Sequence, residues 1–434
     1  MKTRLVILTL GAALVASSAL AQSLFRGDAA RSGVQTAAGP RQFHRVAWTF
    51  TTGSRIVSSP VYVNGTIYFG GDDGNVYAVD ARSGRQLWAH ATGGPVPASP
   101  AVVDGTVYLP SYDGKFYALN ASTGAVRWKF VTGGERRFEA RGLHGMRPRN
   151  QTIADPFDLF LSSPVVVNGL VYFGSGDGNV YALDSVTGSL RWKYQTGDVV
   201  HGSPAYADGV VFVGSWDSYF YALDASTGAL RWRFHGGEDP TIHNQVGFQS
   251  SPAVVGGVVY VGCRDSNLYA LDAATGAERW HYGTDLSWVI TSPAVVGDKV
   301  IFGTSDSSLY HVVDAATGKG IIERKDKAYM FSSPTVAGDA VYIGILNGTL
   351  EARDLASGEI LWSFETEASR RNDGWILTAD RRFNSPLYFR SSWREAPIVG
   401  TDRQFTVGGF FSTPLVADGR VYVGSTDGNL YALE

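Results

Sequence analysis

Arginine is gathered into two stretches of this chain, and aromatic residues are gathered with it. Residues 133–161 carry Arg136, Arg137, Arg141, Arg147 and Arg149; residues 365–411 carry Arg370, Arg371, Arg381, Arg382, Arg390, Arg394 and Arg403. Neither stretch contains lysine, and Trp375, Phe383, Tyr388, Phe389, Trp393 and Phe405 are interleaved with the second set. A guanidinium is a planar fork that takes carboxylates and phosphates in two-point contacts and stacks on aromatic faces. That chemistry suits an anionic ligand or an acidic protein surface. A plainer reading also fits: the arginines pair with Glu135, Glu139, Asp155, Asp373, Asp380 or Glu395 and fasten the loops.

Other candidates are single residues that break a pattern. Trp216 places an indole where its neighbours in the repeat carry Gly, Tyr or Arg, the last being Arg264. With Trp288, just before a Ser-Pro pair, it offers a face to a flat ligand or plugs a channel. His201 stands in VVHGSP near the same channel mouth, where a lone histidine is more often structural than catalytic. Asp73, Asp113, Asp177, Asp217, Asp265, Asp306, Asn347 and Asp427 form a ring of turn residues. Such a ring attracts cations, but Asp-Gly and Asp-Ser turns want the same residue for backbone reasons. The sequence holds no G-x-S-x-G, H-E-x-x-H or phosphate-binding loop, and no carboxylate pair is singled out for sugar hydrolysis.

The elements that position these residues follow from an internal repeat. A Ser/Thr-Pro pair recurs with its proline at Pro60, Pro100, Pro164, Pro204, Pro252, Pro293, Pro334 and Pro414. Downstream of each comes an Asx or acidic residue, as at Asp80 and Asn120, with Asp314 one residue late. A tryptophan follows at Trp88, Trp128, Trp192, Trp232, Trp280 and Trp362, and only Ile322 breaks that series. Each unit reads as four short strands: one opening at the proline, which forfeits no ladder bond there, a second such as GTVYLP, a D-G-type turn, a third such as KFYALN, and a fourth carrying the tryptophan. Units of this length with four strands are propeller blades. The eighth unit stops at Glu434 without its fourth strand, and RVAWTF, from Arg45 to Phe50, supplies it with Trp48 in register. The expectation is an all-β, eight-bladed propeller over residues 44–434, closed by its N-terminal strand, with no open edge.

Small residues at the Ser-Pro pairs fit eight inner strands converging on an axis, and a ring of hydroxyls holding a ligand is the alternative. The links are irregular at 133–161, 235–249 and 365–411. Loops this long inside a compact repeat are usually functional or disordered, and all three fall on the face that carries the second-to-third turns.

The segments ALNASTGAVRW, ALDSVTGSLRW, ALDASTGALRW and ALDAATGAERW share A-x-D/N-x-x-T-G-x-x-x-W, and FRGDAARSGV precedes the first blade. These resemble the tryptophan-docking repeat and lead-in of the pyrroloquinoline quinone (PQQ)-type propellers. The resemblance implies that Trp48, Trp88, Trp128, Trp192, Trp232, Trp280 and Trp362 are structural, each packing on a neighbouring blade. Quinoprotein dehydrogenases of this type hold PQQ between a tryptophan floor and a ring of two adjacent disulfide-linked cysteines. They add a calcium site and an Asp base. This chain has one cysteine, Cys263, and no C-x-x-C-H. It is also similar to the propeller subunit of the outer-membrane β-barrel assembly machinery, an eight-bladed binding scaffold that is a lipoprotein.

Composition sets the remaining bounds. The chain has 434 residues, a net charge of -3 and 18% charged residues, which argues against a general nucleic-acid binder. Residues 1–21 read as a secretory signal: Lys2 and Arg4, an apolar run, and Ala19-Leu20-Ala21 before Gln22. Residues 22–43 form the lead-in. The run is too short to span a bilayer, so the expectation is a monomer in the periplasm or outside the cell. The leading functional expectation is a non-catalytic binding scaffold that contacts an envelope protein or anionic ligand through the Arg-aromatic loops, with no cofactor and no metal. The alternative is a small PQQ-dependent dehydrogenase using PQQ with calcium over Trp216, oxidising an alcohol or sugar.

Overall fold

The computed structural model describes residues 22–239, 241, 243–372, 374–384 and 396–434. Eight antiparallel four-stranded sheets are arranged as blades of a propeller. Each opens with a three-residue strand immediately after its proline, at Val61–Val63, Ala101–Val103, Val165–Val167, Ala205–Ala207, Ala253–Val255, Ala294–Val296, Thr335–Ala337 and Leu415–Ala417. Blade 4 shows the pattern, with Val210–Gly214, Tyr219–Asp224 and Leu230–His235 completing the sheet outward. In blade 8 the outer strand is Val46–Thr51, antiparallel to Asn429–Leu433 with Trp48 opposite Ala432. Closure by the N-terminal strand is therefore the observed topology. Burial follows position: second and third strands are almost wholly buried between sheets, whereas outer strands alternate exposed and covered residues.

Seven tryptophans tie blade to blade. Their indole N–H groups donate to main-chain carbonyls of the neighbouring blade or lead-in: Trp48 to Ala81, Trp88 to Ala121, Trp128 to Ser185, Trp192 to Ala225, Trp232 to Ala273, Trp280 to Ala315 and Trp362 to Pro40, at 2.8–3.1 Å. The repeat's Thr-Gly supplies the landing surface. At Gly228, φ is +74° and an added Cβ would lie 2.7 Å from the Trp192 ring, so the position excludes a side chain on both counts.

The serines of the Ser-Pro pairs divide two tasks. The first member joins strands within its own blade at Ser58, which donates to the Gly70 carbonyl and accepts from the Gly70 N–H. At Ser162, Ser250 and Ser332 it reaches the next blade, donating to the carbonyls of Gly202, Thr291 and Ser412. The second accepts the backbone N–H of its counterpart in the blade before: Ser59 N–H to Ser99 Oγ, Ser99 to Ser163, Ser163 to Ser203, Ser203 to Ser251, Ser251 to Ser292, Ser292 to Ser333, and Thr413 to Ser59. The hydroxyl ring is thus bound to the protein's own main chain.

The lead-in seals the lower part of the channel. Main-chain carbonyls from Gln22 to Gly33 accept from Tyr62, Val102, Tyr206, Val254, Val295 and Val336, one residue in each of six inner strands. Val34–Gln35 then pairs in parallel with Thr335–Ala337. Arg26 donates to the carbonyls of Pro334 and Pro293, and Arg31 to those of Pro204, Ser163, Pro164 and Phe25. Burial lowers both guanidinium groups to about 9, which leaves them charged at neutral pH. Among the described residues no helix is long and apolar enough to cross a membrane.

Candidate functional site

The three long links converge over blades 3 to 7. The first folds back as a hairpin, Glu139–Arg141 against Thr152–Ala154. The last contributes helices Glu367–Arg371 and Ala396–Phe405. The short helix begins on Thr366, whose Oγ1 accepts from the Ser369 N–H at 3.2 Å and caps it.

Beneath the hairpin lies a buried stack. Phe138 lies nearly parallel on Trp216 with ring centroids 4.6 Å apart. The Arg264 guanidinium takes the other side, with its Cζ 4.7 Å from the Trp216 centroid and 3.6 Å from that of Trp288. Arg264 is fully buried, its Nη1 donating to Asp155 Oδ2 at 2.6 Å. Among the described residues its Nε and Nη2 have no hydrogen-bond partner, and two indole faces stand where acceptors would otherwise be needed. His144 Nε2 approaches the same Asp155 oxygen at 3.3 Å. Burial alone would raise the Asp155 carboxyl; Arg264 and His144 hold it well below the ordinary carboxylate range.

A second buried group latches the same link. His201 Nδ1 is 2.7 Å from Asp158 Oδ1, and its Nε2 is 3.7 Å from Glu135 Oε2. Asp158 also accepts from the Phe138 N–H, and Glu135 from Ser175 Oγ and the Gly176 N–H. Burial pulls the His201 pKa down, but the two carboxylates outweigh it and raise it from 6.5 to about 9. Glu135, Asp155 and Asp158 of the 133–161 link therefore face inward, and Glu139 is exposed.

Most of its arginines face outward. Arg136, Arg141, Arg147 and Arg149 are exposed and Arg137 is half-buried, with Arg136 paired to Asp198 at 2.8 Å. In the third link Arg381 pairs with Glu365 and Arg382 with Asp380, both at 2.9 Å. Arg371 pairs with Glu367, and Arg370 donates to the Glu365 carbonyl. Trp375 is 57% exposed, while Arg390 and Trp393 lie outside the described residues. The structure thus brings Trp216, Arg264 and Trp288 together, and spreads the other described candidates over the rim, with Arg136, Arg371, Arg381 and Arg382 held in ion pairs.

A pocket of about 180 Å³ opens beside the stack. Its walls come from all three links and from blades 5 to 7: His144 and Phe157, Asn244, Trp288, Ser305 and Asp306, Tyr329 and Phe331, then Gly400, Thr401 and Gln404. Below it Phe160, Phe331 and Phe411 cover the channel from above while Phe25 closes it from below, leaving only about 40 Å³ between. Sequence reasoning named Glu135 and Asp155 only as loop-fastening partners for the link arginines, and did not single out His144 or Asp158, because all four sit outside the repeat. The run Asp155-Pro-Phe-Asp158 in an otherwise basic link was the available signal.

A family model described as outer membrane protein assembly factor BamB matches residues 43–157 and 156–364. The chain belongs to the BamB family. No curated protein matches its sequence. BamB from Moraxella catarrhalis superposes with a TM-score of 0.65 at 17% identity, covering 90% of this chain and 99% of that one. A quinohemoprotein alcohol dehydrogenase from Comamonas testosteroni gives 0.68 at 15% identity over 98% of this chain and 82% of its own. A computationally designed protein, Ika8, gives 0.65 at 16% identity, covering 90% of this chain and 99% of its own. At these identities the likeness is one of fold.

The quinoprotein neighbour raises the question of whether a flat quinone fits. Both faces of Trp216 are occupied, by Phe138 and Arg264, and its ring is 1% exposed. A quinone laid there would have to displace one of them, so these residues do not fit the group in this arrangement. Six of the seven turn aspartates are committed as well. Asp73, Asp113, Asp177, Asp217, Asp265 and Asp427 each accept from a tyrosine hydroxyl four residues on, at 2.5–2.6 Å. The first five also accept a glycine N–H from the preceding link, at 2.6–3.1 Å.

Proposed function

We propose that this propeller is a non-catalytic binding scaffold of the cell envelope, exported to the periplasm, and that its top face holds another envelope protein. The observation that carries this reading is the filled stack: the indole on which a cofactor would rest is sandwiched by the protein's own Phe138 and Arg264. The sealed channel and the gathering of all three long links around one pocket support it. So does membership of a family described by outer membrane protein assembly. The exposed arginines and Trp375 offer cations and an aromatic face to a protein surface, the residue types enriched where partners meet.

Replacing residues 366–410 by a short Gly-Ser link tests it. Capture of envelope proteins by the purified chain should be lost while circular dichroism and the melting temperature stay near those of the intact protein. Unchanged capture overturns the role of this face. Titration with PQQ and Ca²⁺, followed by calorimetry, should give no saturable heat. One-to-one binding at about micromolar affinity would favour the dehydrogenase reading instead.

A further inference from the structure

Asp306 is the exception in the ring of turn residues. Six aspartates of that ring are held by a tyrosine hydroxyl four positions on. In blade 6 the tyrosine position is His311, and the turn from Gly303 to Leu309 has one residue more than its counterpart from Gly214 to Tyr219. Ser307 now meets the preceding link, its N–H donating to Ser287 Oγ at 3.0 Å. Asp306 is thereby released: it is exposed, makes no hydrogen bond or ion pair among the described residues, and lines the pocket.

The rest of the pocket is aromatic. Phe157, Trp288, Tyr329 and Phe331 supply rings, with Phe157 edge-on to Trp288 at 5.5 Å. The nearby buried cation is already matched, since Arg264 is paired with Asp155, and His144 turns its Nε2 to that same carboxylate. A carboxylate without a partner above a wall of rings is complementary to a planar, delocalised cation, which pairs at two points and stacks. One layer deeper the protein makes this match itself, with Arg264 on Trp288 and Asp155.

We propose that this pocket receives an arginine side chain presented by the bound protein partner, its guanidinium lying on the aromatic wall and paired with Asp306. The inference rests on the scaffold reading and adds the chemistry of the contact. Neighbouring protein raises the Asp306 carboxyl from its ordinary value, with Arg264 and His144 opposing the shift.

The probe is a capped Gly-Arg-Gly peptide titrated into the purified protein by calorimetry, with the citrulline peptide as neutral isostere and D306N as the variant. Saturable one-to-one binding of the arginine peptide is expected, weakened about tenfold by D306N and absent for citrulline. Equal affinity of arginine and citrulline, equal affinity of D306N and the unsubstituted protein, or no binding at all overturns the inference. Partner capture measured in parallel separates the two readings: capture that survives without peptide binding leaves the scaffold standing and removes the arginine. Because Asp306 is exposed and unbonded, D306N should melt with the unsubstituted protein, which the same samples check.

Discussion

At the scale of single residues, the latch at His201 carries a pH signature. Its folded-state pKa is raised to about 9 against an ordinary 6.5, so its stabilisation is complete below about 6.5 and is lost as pH rises through about 9. The size is on the order of 3 kcal/mol. Melting temperatures measured from pH 6 to pH 10 should fall for the unsubstituted protein in that window, and His201→Gln, already lower at pH 6, should fall much less. Parallel curves would show that the imidazolium is not what holds the link. Residues of this kind were only partly legible in the sequence. Trp216, Arg264 and Trp288 stood out because they depart from a repeat that defines the ordinary residue at each position. Asp155, Asp158 and Glu135 had no such reference, and their partners come from blades far off in the chain. For the arginines, composition left a binding surface and loop-fastening pairs both open; Arg382 with Asp380 is one of the pairs foreseen, whereas Arg136 with Asp198 and Arg381 with Glu365 needed the fold.

Among the elements, the lead-in shows how much a short irregular segment can do. It contributes a two-residue strand, yet its carbonyls serve six inner strands and its two buried arginines bind six main-chain carbonyls, five of them at the inner-strand starts. An arginine is suited to this because its five N–H groups reach several acceptors from one site. Removing residues 22–35 should speed amide exchange at Tyr62, Val102, Tyr206, Val254, Val295 and Val336 by at least about tenfold and lower the unfolding midpoint. Unaltered exchange at those six amides would mean that the segment rests on the propeller without holding it. The motif FRGDAARSGV marked the segment in the sequence, but nothing local disclosed that it crosses the axis. The strands were readable for the opposite reason: each is set by alternation and turns within its own unit, repeated until chance was excluded.

For the whole molecule, the blade count and the closing strand followed from counting eight Ser/Thr-Pro starts and one missing outer strand, a global property that survives any local ambiguity. The serine relay adds something that counting did not contain. Every N–H to Oγ step runs in the same rotational sense, but among the described residues no such step runs from Ser333 to Thr413; there Thr335 Oγ1 reaches the carbonyl of Pro414. The molecule's eightfold pseudo-symmetry therefore has a seam, and it lies between blades 7 and 8, on one flank of the blade in which the N-terminal and C-terminal strands pair. Native-state exchange should find the Ser333 amide the fastest of the eight equivalent positions, whereas uniform protection around the axis would deny the seam. A ring with one weak joint has a preferred place to part, so the hub should behave under mechanical load as a hinged clasp, opening where the longest link enters.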